Sequence, residues 1–200
     1  MPPSPNAPKL TSLCVFCGSQ TGSDPVYAAA ATVLGESMAA HGTDLIFGGG
    51  RVGLMGTVAD AVLAGGGKIV GVIPGFLKDK EVAHARATEM LVVPDMHSRK
   101  KLMFERSDAF CILPGGVGTL DEMFEIITWR QLRLHDKPII LVNVADYWAH
   151  MISLLDSMVS MGFAYNPRHT LLTVVNRAED VIAAAEAELK TQKAPDLSKA

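Results

Sequence analysis

The chain has 200 residues, 48% hydrophobic and 20% charged, a balance that predicts one compact domain with an ordinary core. Its 18 basic and 21 acidic residues give a net charge of −3 without blocks of like charge, which argues against nucleic acid and membranes as partners. Three cysteines are too few for a disulfide framework, and neither a bilayer-spanning run nor a secretory signal stands out. We therefore expect a cytoplasmic protein.

The chain ends differ in composition from the middle. Residues 1–9 hold four of the 11 prolines and almost no apolar side chains, which predicts a disordered leader. Residues 190–200 are polar and are expected to form a flexible tail. We assign residues 10–189 to a single folded domain.

Short apolar runs alternate with segments of helical periodicity along this domain. The runs predict seven strands, at residues 13–16, 44–47, 68–73, 89–93, 109–113, 138–144 and 172–175. The periodic segments predict six helices, at residues 26–41, 53–64, 96–106, 119–134, 147–161 and 178–190. Because runs such as residues 139–142 are apolar at every position, both faces of the sheet must be covered. The sequence therefore predicts an α/β, Rossmann-like, doubly wound and mainly parallel seven-stranded sheet.

In such a sheet, ligands bind beyond the carboxyl ends of the strands. Glycine-rich loops follow three of the predicted strands, at residues 17–20, 48–53 and 114–119. In the last of these, Gly115, Gly116, Gly118 and Thr119 precede a helix, so backbone N–H groups can converge on an anion. The alternatives are a tight turn that serves packing only, and a capping box in which Glu122 binds the Thr119 amide.

The other two glycine-rich loops are expected to approach the same ligand. They contribute Ser19 from the first loop, and Gly49 and Gly50 from the second, although a three-glycine run is also typical of flexible hairpins. None of the loops has the lysine ending of an NTP-binding P-loop, and the first lacks the three-glycine dinucleotide pattern. NTPases and nicotinamide-dependent dehydrogenases are therefore disfavoured.

Two cations lie near the start of the predicted third helix. A helix start disfavours positive charge, so Arg99 and Lys100 indicate an anionic ligand, unless they simply form a solvated basic face with Lys101. We call the glycine-rich loop at residues 114–119 the anion loop. Glu122 and Glu125 lie on one face of the helix that follows it. A carboxylate there suits a reaction that develops positive charge, such as cleavage of an N-glycosidic bond, although Glu125 is equally compatible with an ordinary exposed position.

Cysteine and histidine spacing offers little support for metal or redox chemistry. Cys14 and Cys17 lie three apart on a predicted strand, so their side chains should point to opposite faces, and Cys111 should be a core residue. The six histidines show no metal-like spacing.

Three segments together form a recognisable pattern. They are Asp95-Met96-His97-Ser98-Arg99-Lys100, Pro114-Gly115-Gly116-Val117-Gly118-Thr119-Leu120-Asp121-Glu122 and Thr128-Trp129. They resemble the LOG (Lonely Guy) family of cytokinin riboside 5′-monophosphate phosphoribohydrolases. The resemblance extends from about residue 10 to residue 189, and the pattern Pro-Gly-Gly-x-Gly-Thr-x-x-Glu is matched in full. Members were long labelled lysine decarboxylases, but nothing in this sequence resembles a pyridoxal phosphate site.

The resemblance implies hydrolysis of a nucleoside 5′-monophosphate, including AMP, to a free base and ribose 5-phosphate, without a metal or redox cofactor. It also implies a homodimer and a catalytic pair, Arg99 and Glu122. The substrate contacts that it implies are Glu81, Lys100, Gly116, Val117, Gly118, Thr119, Leu120, Asp121 and Thr128. Three matters stay open: whether Arg99 holds phosphate or steers the carboxylate, whether adenine or an N6-modified adenine is the preferred base, and whether the fold serves instead as a non-catalytic carrier of a nucleotide or of the molybdenum cofactor.

Overall fold

Strands and helices alternate along the computed structural model, which describes residues 9–78, 82–165 and 167–191. The strands in these ranges are β1 (Ser12–Phe16), β2 (Asp44–Phe47), β3 (Ile69–Pro74), β4 (Glu89–Val93), β5 (Ala109–Ile112), β6 (Ile139–Val142) and β7 (Thr173–Val175). The α-helices are α1 (Pro25–His41), α2 (Gly53–Ala64), α3 (Met96–Glu105), α4 (Val117–Gln131), α5 (Ala149–Ser160), α6 (Arg168–Leu171) and α7 (Val181–Thr191). The strands form one sheet in the order β4-β3-β2-β1-β5-β6-β7, and every neighbouring pair is parallel.

The predicted fold class is confirmed, and the differences from the predicted elements are local. All seven predicted strands are present within the described ranges. The short helix α6 is an addition, and α4 begins at Val117 rather than at the predicted residue 119. Lys190 and Thr191, predicted to lie in a flexible tail, end α7, because Leu189 packs against the core and extends the helix. The rest of that tail, residues 192–200, and residues 1–8 of the leader lie outside the described residues.

Two hydrophobic cores lie on opposite faces of the sheet. Alternation along β1 divides its side chains, so that Leu13 and Val15 enter one core and Cys14 and Phe16 the other. The first core is completed by α1, α2 and α7, and the second by α3, α4, α5 and α6. Within the described ranges, no helix combines the length and the hydropathy that a bilayer span requires.

The strand order determines where the glycine-rich loops meet. The chain runs outward from β1 to β4, then crosses through α3 to place β5 on the other side of β1. Adjacent strands β1 and β5 therefore lead to connections that diverge to opposite sides, which opens a crevice at their carboxyl ends. The first and third glycine-rich loops follow these two strands.

Helices α1 and α2 pack closely at Gly35. A Cβ atom at this position would lie 2.6 Å from both the Ala61 Cβ and the Val58 carbonyl oxygen. We expect Gly35→Ala to lower the free energy of unfolding by about 1–3 kcal/mol through overpacking. Urea denaturation measures the change.

Gly75→Ala is the matched control, because the atom nearest to an added Cβ there is a Val92 methyl carbon 3.9 Å away. It should change stability by less than about 0.5 kcal/mol. Equal stability of the two variants would contradict close packing at Gly35.

Candidate active site

The three glycine-rich loops meet at the carboxyl ends of β1, β2 and β5. The Gly18 amide donates to the Pro114 carbonyl at 3.0 Å, which joins the first loop to the third. The Leu54 amide donates to the Gly18 carbonyl, also at 3.0 Å, and joins the second loop to the first. Gly53 has a φ of 60°, and a Cβ atom there would collide with the Ser19 backbone. Glycine is therefore required at this junction.

The third loop leads into the N-terminus of α4. Gly116 is the N-cap residue and contributes no side-chain cap, so the amides of Val117, Gly118 and Thr119 lack helical acceptors. Residues 116–118 are exposed, and these amides lie where a helix favours negative charge. The capping-box interpretation of Thr119 and Glu122 is wrong, because the helix begins before Thr119 and encloses it. The loop therefore has the local geometry of an anion site.

Arg99 is buried and held by backbone carbonyl groups. Helix α3 is capped by Asp95, which accepts from the Ser98 amide at 2.8 Å, and this start directs Arg99 inward. The Arg99 side chain donates from Nε to the Val72 carbonyl at 3.1 Å and from Nη2 to the Gly48 carbonyl at 2.9 Å. With an exposed fraction of 4%, Arg99 does not belong to a solvated basic face, although the side chain of Lys101 is 73% exposed.

Arg99 and Glu122 line one cavity of about 270 Å³, which we call the Arg99 cavity. Its wall also includes Cys17, Gly18, Ser19, Met55, Leu77, Met96, Gly116, Val117, Gly118, Thr119 and Asp121. Burial raises the pKa of the Cys17 thiol well above its usual value, and the negative charge of Glu122 raises it further. The Glu122 carboxylate is thus close enough to the end of β1, beside the anion loop, to affect the Cys17 thiol.

Lys100 lies on the outer side of the same loop. Its ammonium donates to Asp121 at 3.1 Å and lies 3.2 Å from Glu125. Burial lowers the pKa of Lys100, but the hydrogen bonds to the two carboxylates outweigh it, so the net pKa is raised and the amine stays charged. The surrounding groove, which we call the Lys100 groove, is lined by Lys100, Val117, Leu120, Asp121, Phe124, Glu125, Thr128 and Trp129.

The remaining predicted contacts fall into three groups. Ser19 lines the Arg99 cavity, and Gly115 lines an adjoining cavity of about 230 Å³ that also contains Tyr27 and Tyr147. Gly49 and Gly50 are buried and are not brought to either cavity: the Gly49 carbonyl accepts from the His84 amide, and Gly50 forms a bridge with Ala83. Glu81 lies outside the described residues.

Sequence reasoning missed the apolar wall of the Arg99 cavity and the tyrosine beside the anion loop. Met96 could have been found from its position three residues before Arg99 on one helix. Met55 and Leu77 carry no such local signal. The cysteines behave as predicted: all three are buried, and Cys14 and Cys17 enter opposite cores.

Comparison with known proteins gives consistent names. A family model described as "Possible lysine decarboxylase" matches residues 55–185. The chain is 42% identical over 90% of its length to probable cytokinin riboside 5′-monophosphate phosphoribohydrolase LOGL5 of Oryza sativa subsp. japonica, of which the match covers 73%. It is 43% identical over 86% of its length to cytokinin riboside 5′-monophosphate phosphoribohydrolase LOG1 of Arabidopsis thaliana, of which the match covers 81%.

Solved structures share the fold at low sequence identity. The molybdenum cofactor carrier protein of Chlamydomonas reinhardtii matches with a TM-score of 0.70 and 19% identity, over 90% of this chain and 99% of that one. The molybdenum cofactor binding protein of Rippkaea orientalis matches with a TM-score of 0.66 and 19% identity, over 90% and 97% of the two chains. At this level of identity the likeness concerns the fold alone.

Gly115 and Gly116 differ in the space available for an added Cβ atom. An added Cβ at Gly115 would lie 2.7 Å from the Thr119 Cβ and 2.8 Å from the Gly18 nitrogen, whereas Gly116 faces open space. We expect Gly115→Ala to displace the anion loop and lower the free energy of unfolding by about 1–3 kcal/mol. Gly116→Ala should leave stability within about 0.5 kcal/mol of wild type.

Thermal and urea denaturation of the two variants test this difference. A Gly115→Ala protein as stable as Gly116→Ala would show that the loops do not meet in this way.

Proposed function

This chain belongs to the LOG family of cytokinin riboside 5′-monophosphate phosphoribohydrolases, and we propose that Arg99 and Glu122 carry out its reaction. The chain is an N-glycosyl hydrolase of cytokinin riboside 5′-monophosphates: it releases the N6-substituted adenine and ribose 5-phosphate. The observation that carries the assignment of the two residues is their presence in one cavity beside the N-terminus of α4.

The 5′-phosphate binds at the start of α4. The amides of Val117, Gly118 and Thr119 offer donors to its oxygens, and the helix dipole favours its charge. Because the phosphate is remote from the bond that breaks, its binding energy orients the ribose toward the reacting groups.

Glu122 acts at the anomeric carbon. It lies five residues beyond Val117, so it is about 7–8 Å further along the helix axis than the first amide donor. As the bond between C1′ and the base nitrogen breaks, the ribose gains oxocarbenium character, and the ionised carboxylate stabilises that charge and guides water to C1′. The new C1′–O bond gives ribose 5-phosphate, and a proton from water replaces the sugar on the departing base.

Arg99 steers the carboxylate. Two of its guanidinium nitrogens donate to the Val72 and Gly48 carbonyls, which fixes the cation in the wall of the cavity that Glu122 shares. A fixed positive charge favours the ionised form of a nearby carboxylate. We assign Arg99 this electrostatic role, and the phosphate to the amides of α4.

The Lys100 groove supplies further substrate contacts. Lys100 is neutralised by Asp121 and Glu125, and these residues, with Leu120 and Thr128, border Val117 at the mouth of the Arg99 cavity. The predicted contacts of Ser19 and Gly115 lie on the opposite side of the anion loop. Gly49 and Gly50 support the site through the backbone of the second loop.

Three finer statements complete the proposal. AMP is a substrate alongside its N6-modified derivatives, because the proposed contacts engage the phosphate and the ribose, which all of these nucleotides share. The protein is a cytoplasmic homodimer, and exposed apolar side chains such as Val117, 83% exposed, favour association. Light scattering and cell fractionation measure these two properties.

Glu122→Gln keeps the size of the side chain and removes its charge. We expect it to lower kcat by at least about 100-fold, because the developing positive charge loses its partner. Affinity for the substrate should change by less than about threefold, since the phosphate contacts remain. Release of adenine and N6-isopentenyladenine from the monophosphates, followed by chromatography, gives the rates, and calorimetry gives the affinity.

Glu105→Gln on α3 is the control, because Glu105 is exposed and pairs only weakly, at 3.8 Å, with Lys101. It should retain wild-type turnover. Turnover by Glu122→Gln equal to that of this control would remove Glu122 from the reaction. A wild-type protein that binds the monophosphates but returns them intact would instead favour the carrier function.

Arg99→Lys keeps the positive charge and removes the fork of donors. A single ammonium cannot reach the Val72 and Gly48 carbonyls in the same geometry, so we expect a loss of about 1–3 kcal/mol in unfolding free energy. Turnover should fall by at least about tenfold, because the cation that steers Glu122 moves. The opposite exchange at its exposed neighbour, Lys101→Arg, should leave both properties unchanged. Wild-type turnover in Arg99→Lys would refute the steering role.

A further inference from the structure

Tyr147 reaches the anion loop from the neighbouring connection of the sheet. It lies in the connection that follows β6, and its hydroxyl donates to the Gly115 carbonyl at 2.6 Å. Its ring packs edge-on against Tyr27, with 5.4 Å between centroids, and against Trp148, at 4.7 Å. The tyrosine is therefore held in place by neighbouring rings on two sides, and its hydroxyl acts on the loop that carries Gly116.

The backbone that presents Tyr147 is held in an unfavourable conformation. Ala145 and Asp146 are consecutive non-glycine residues with positive φ, at 49° and 56°. Asn143 supports this bend from within: its amide nitrogen donates to Asp146 at 3.2 Å, and its side-chain oxygen accepts from the Trp148 amide at 2.8 Å. Strain of this kind persists only where the surrounding contacts determine it, and it concentrates at functional sites.

The carbonyl that Tyr147 holds belongs to the same peptide unit as the Gly116 amide. A trans peptide is planar, so its C=O and N–H groups point in opposite directions. Both flanking residues are glycines, which allow this unit to rotate with little steric resistance. Rotated by half a turn, it would present its carbonyl oxygen, and not its N–H, to an anion at the start of α4.

We propose that Tyr147 is a positioning residue that locks the Gly115–Gly116 peptide so that the Gly116 N–H faces the phosphate. The lock rests on the proposed phosphate site at α4. Tyr147 lines the cavity on one side of the loop, whereas Gly116 lines both that cavity and the Arg99 cavity. A hydroxyl that fixes the carbonyl from the tyrosine side thus directs the amide toward the Arg99 side. Because the N–H group is already oriented, binding of the phosphate loses less conformational entropy.

Tyr147→Phe tests the lock, because it removes the hydroxyl and keeps the ring. We expect the Kd for ribose 5-phosphate to rise about three- to tenfold, as for one lost neutral hydrogen bond. KM for the nucleoside monophosphate should rise by a similar factor, while kcat changes less than twofold because Arg99 and Glu122 are unaffected. With selective ¹⁵N-glycine labelling, the shift of the Gly116 amide resonance on addition of ribose 5-phosphate should shrink in the variant.

Tyr27→Phe is the matched control, since it removes a hydroxyl from the neighbouring ring and retains the ring contact. It should bind ribose 5-phosphate as wild type does. Wild-type affinity and an unchanged Gly116 shift in Tyr147→Phe would overturn the lock, as would a fall in kcat with KM unchanged. If the wild-type protein binds ribose 5-phosphate but releases no base, the proposed reaction fails while the binding and resonance measurements still decide the role of Tyr147.

Discussion

The buried guanidinium of Arg99 is the constraint on which the site depends. A buried guanidinium needs hydrogen-bond acceptors, and the carbonyls of Val72 and Gly48 are turned toward it. A Cβ at Gly48 would overlap Arg99 Nη2, so a larger residue there would displace the guanidinium from these carbonyls. In the same glycine-rich loop, residues 48–53, the next carbonyl, that of Gly49, accepts a hydrogen bond from the His84 amide. One cation thereby shapes the ends of β2 and β3, and the glycine at position 48 leaves room for it.

The position of Glu122 along α4 allows the proposed site to contain both a phosphate and a carboxylate, although both are negatively charged. Directly beside the helix start, a carboxylate would compete with the phosphate for the same amides. Five residues further on, it has left the first turn, where the helix dipole acts most strongly. In the proposed reaction, the ribose lies between the two charges, with its phosphate at the amides and its anomeric carbon near Glu122. The separation along one rigid helix thus converts phosphate affinity into placement of the reacting carbon.

The sequence was sufficient for the fold and for two polar residues that line one cavity, Arg99 and Glu122, but not for the apolar wall of that cavity or for the groups that hold Arg99. Strand runs such as that of β6 are apolar at every position, which left few alternatives to a covered parallel sheet. Arg99 and Glu122 were identified by their motifs, whereas the burial of Arg99 depends on carbonyls 27 and 51 residues away. Tyr147 is linked to Gly115 across 32 residues, and its loop carries no glycine to signal its positive φ angles. Such long-range contacts leave no periodicity or spacing in the chain.

The fold itself does not distinguish a hydrolase from a carrier, since the anion site at α4 requires only glycines and a helix start. A carboxylate close to the ribose can accept hydrogen bonds from its hydroxyls, but its charge opposes that of the phosphate, so nucleotide binding alone does not require it. The same carboxylate is useful once the sugar becomes positive, and its value is greatest where burial reduces screening by water. Arg99, 4% exposed, lines the same cavity, and in the proposed reaction its charge balances that of the carboxylate. The presence of this pair in one cavity therefore fits the proposed stabilisation of a cationic ribose.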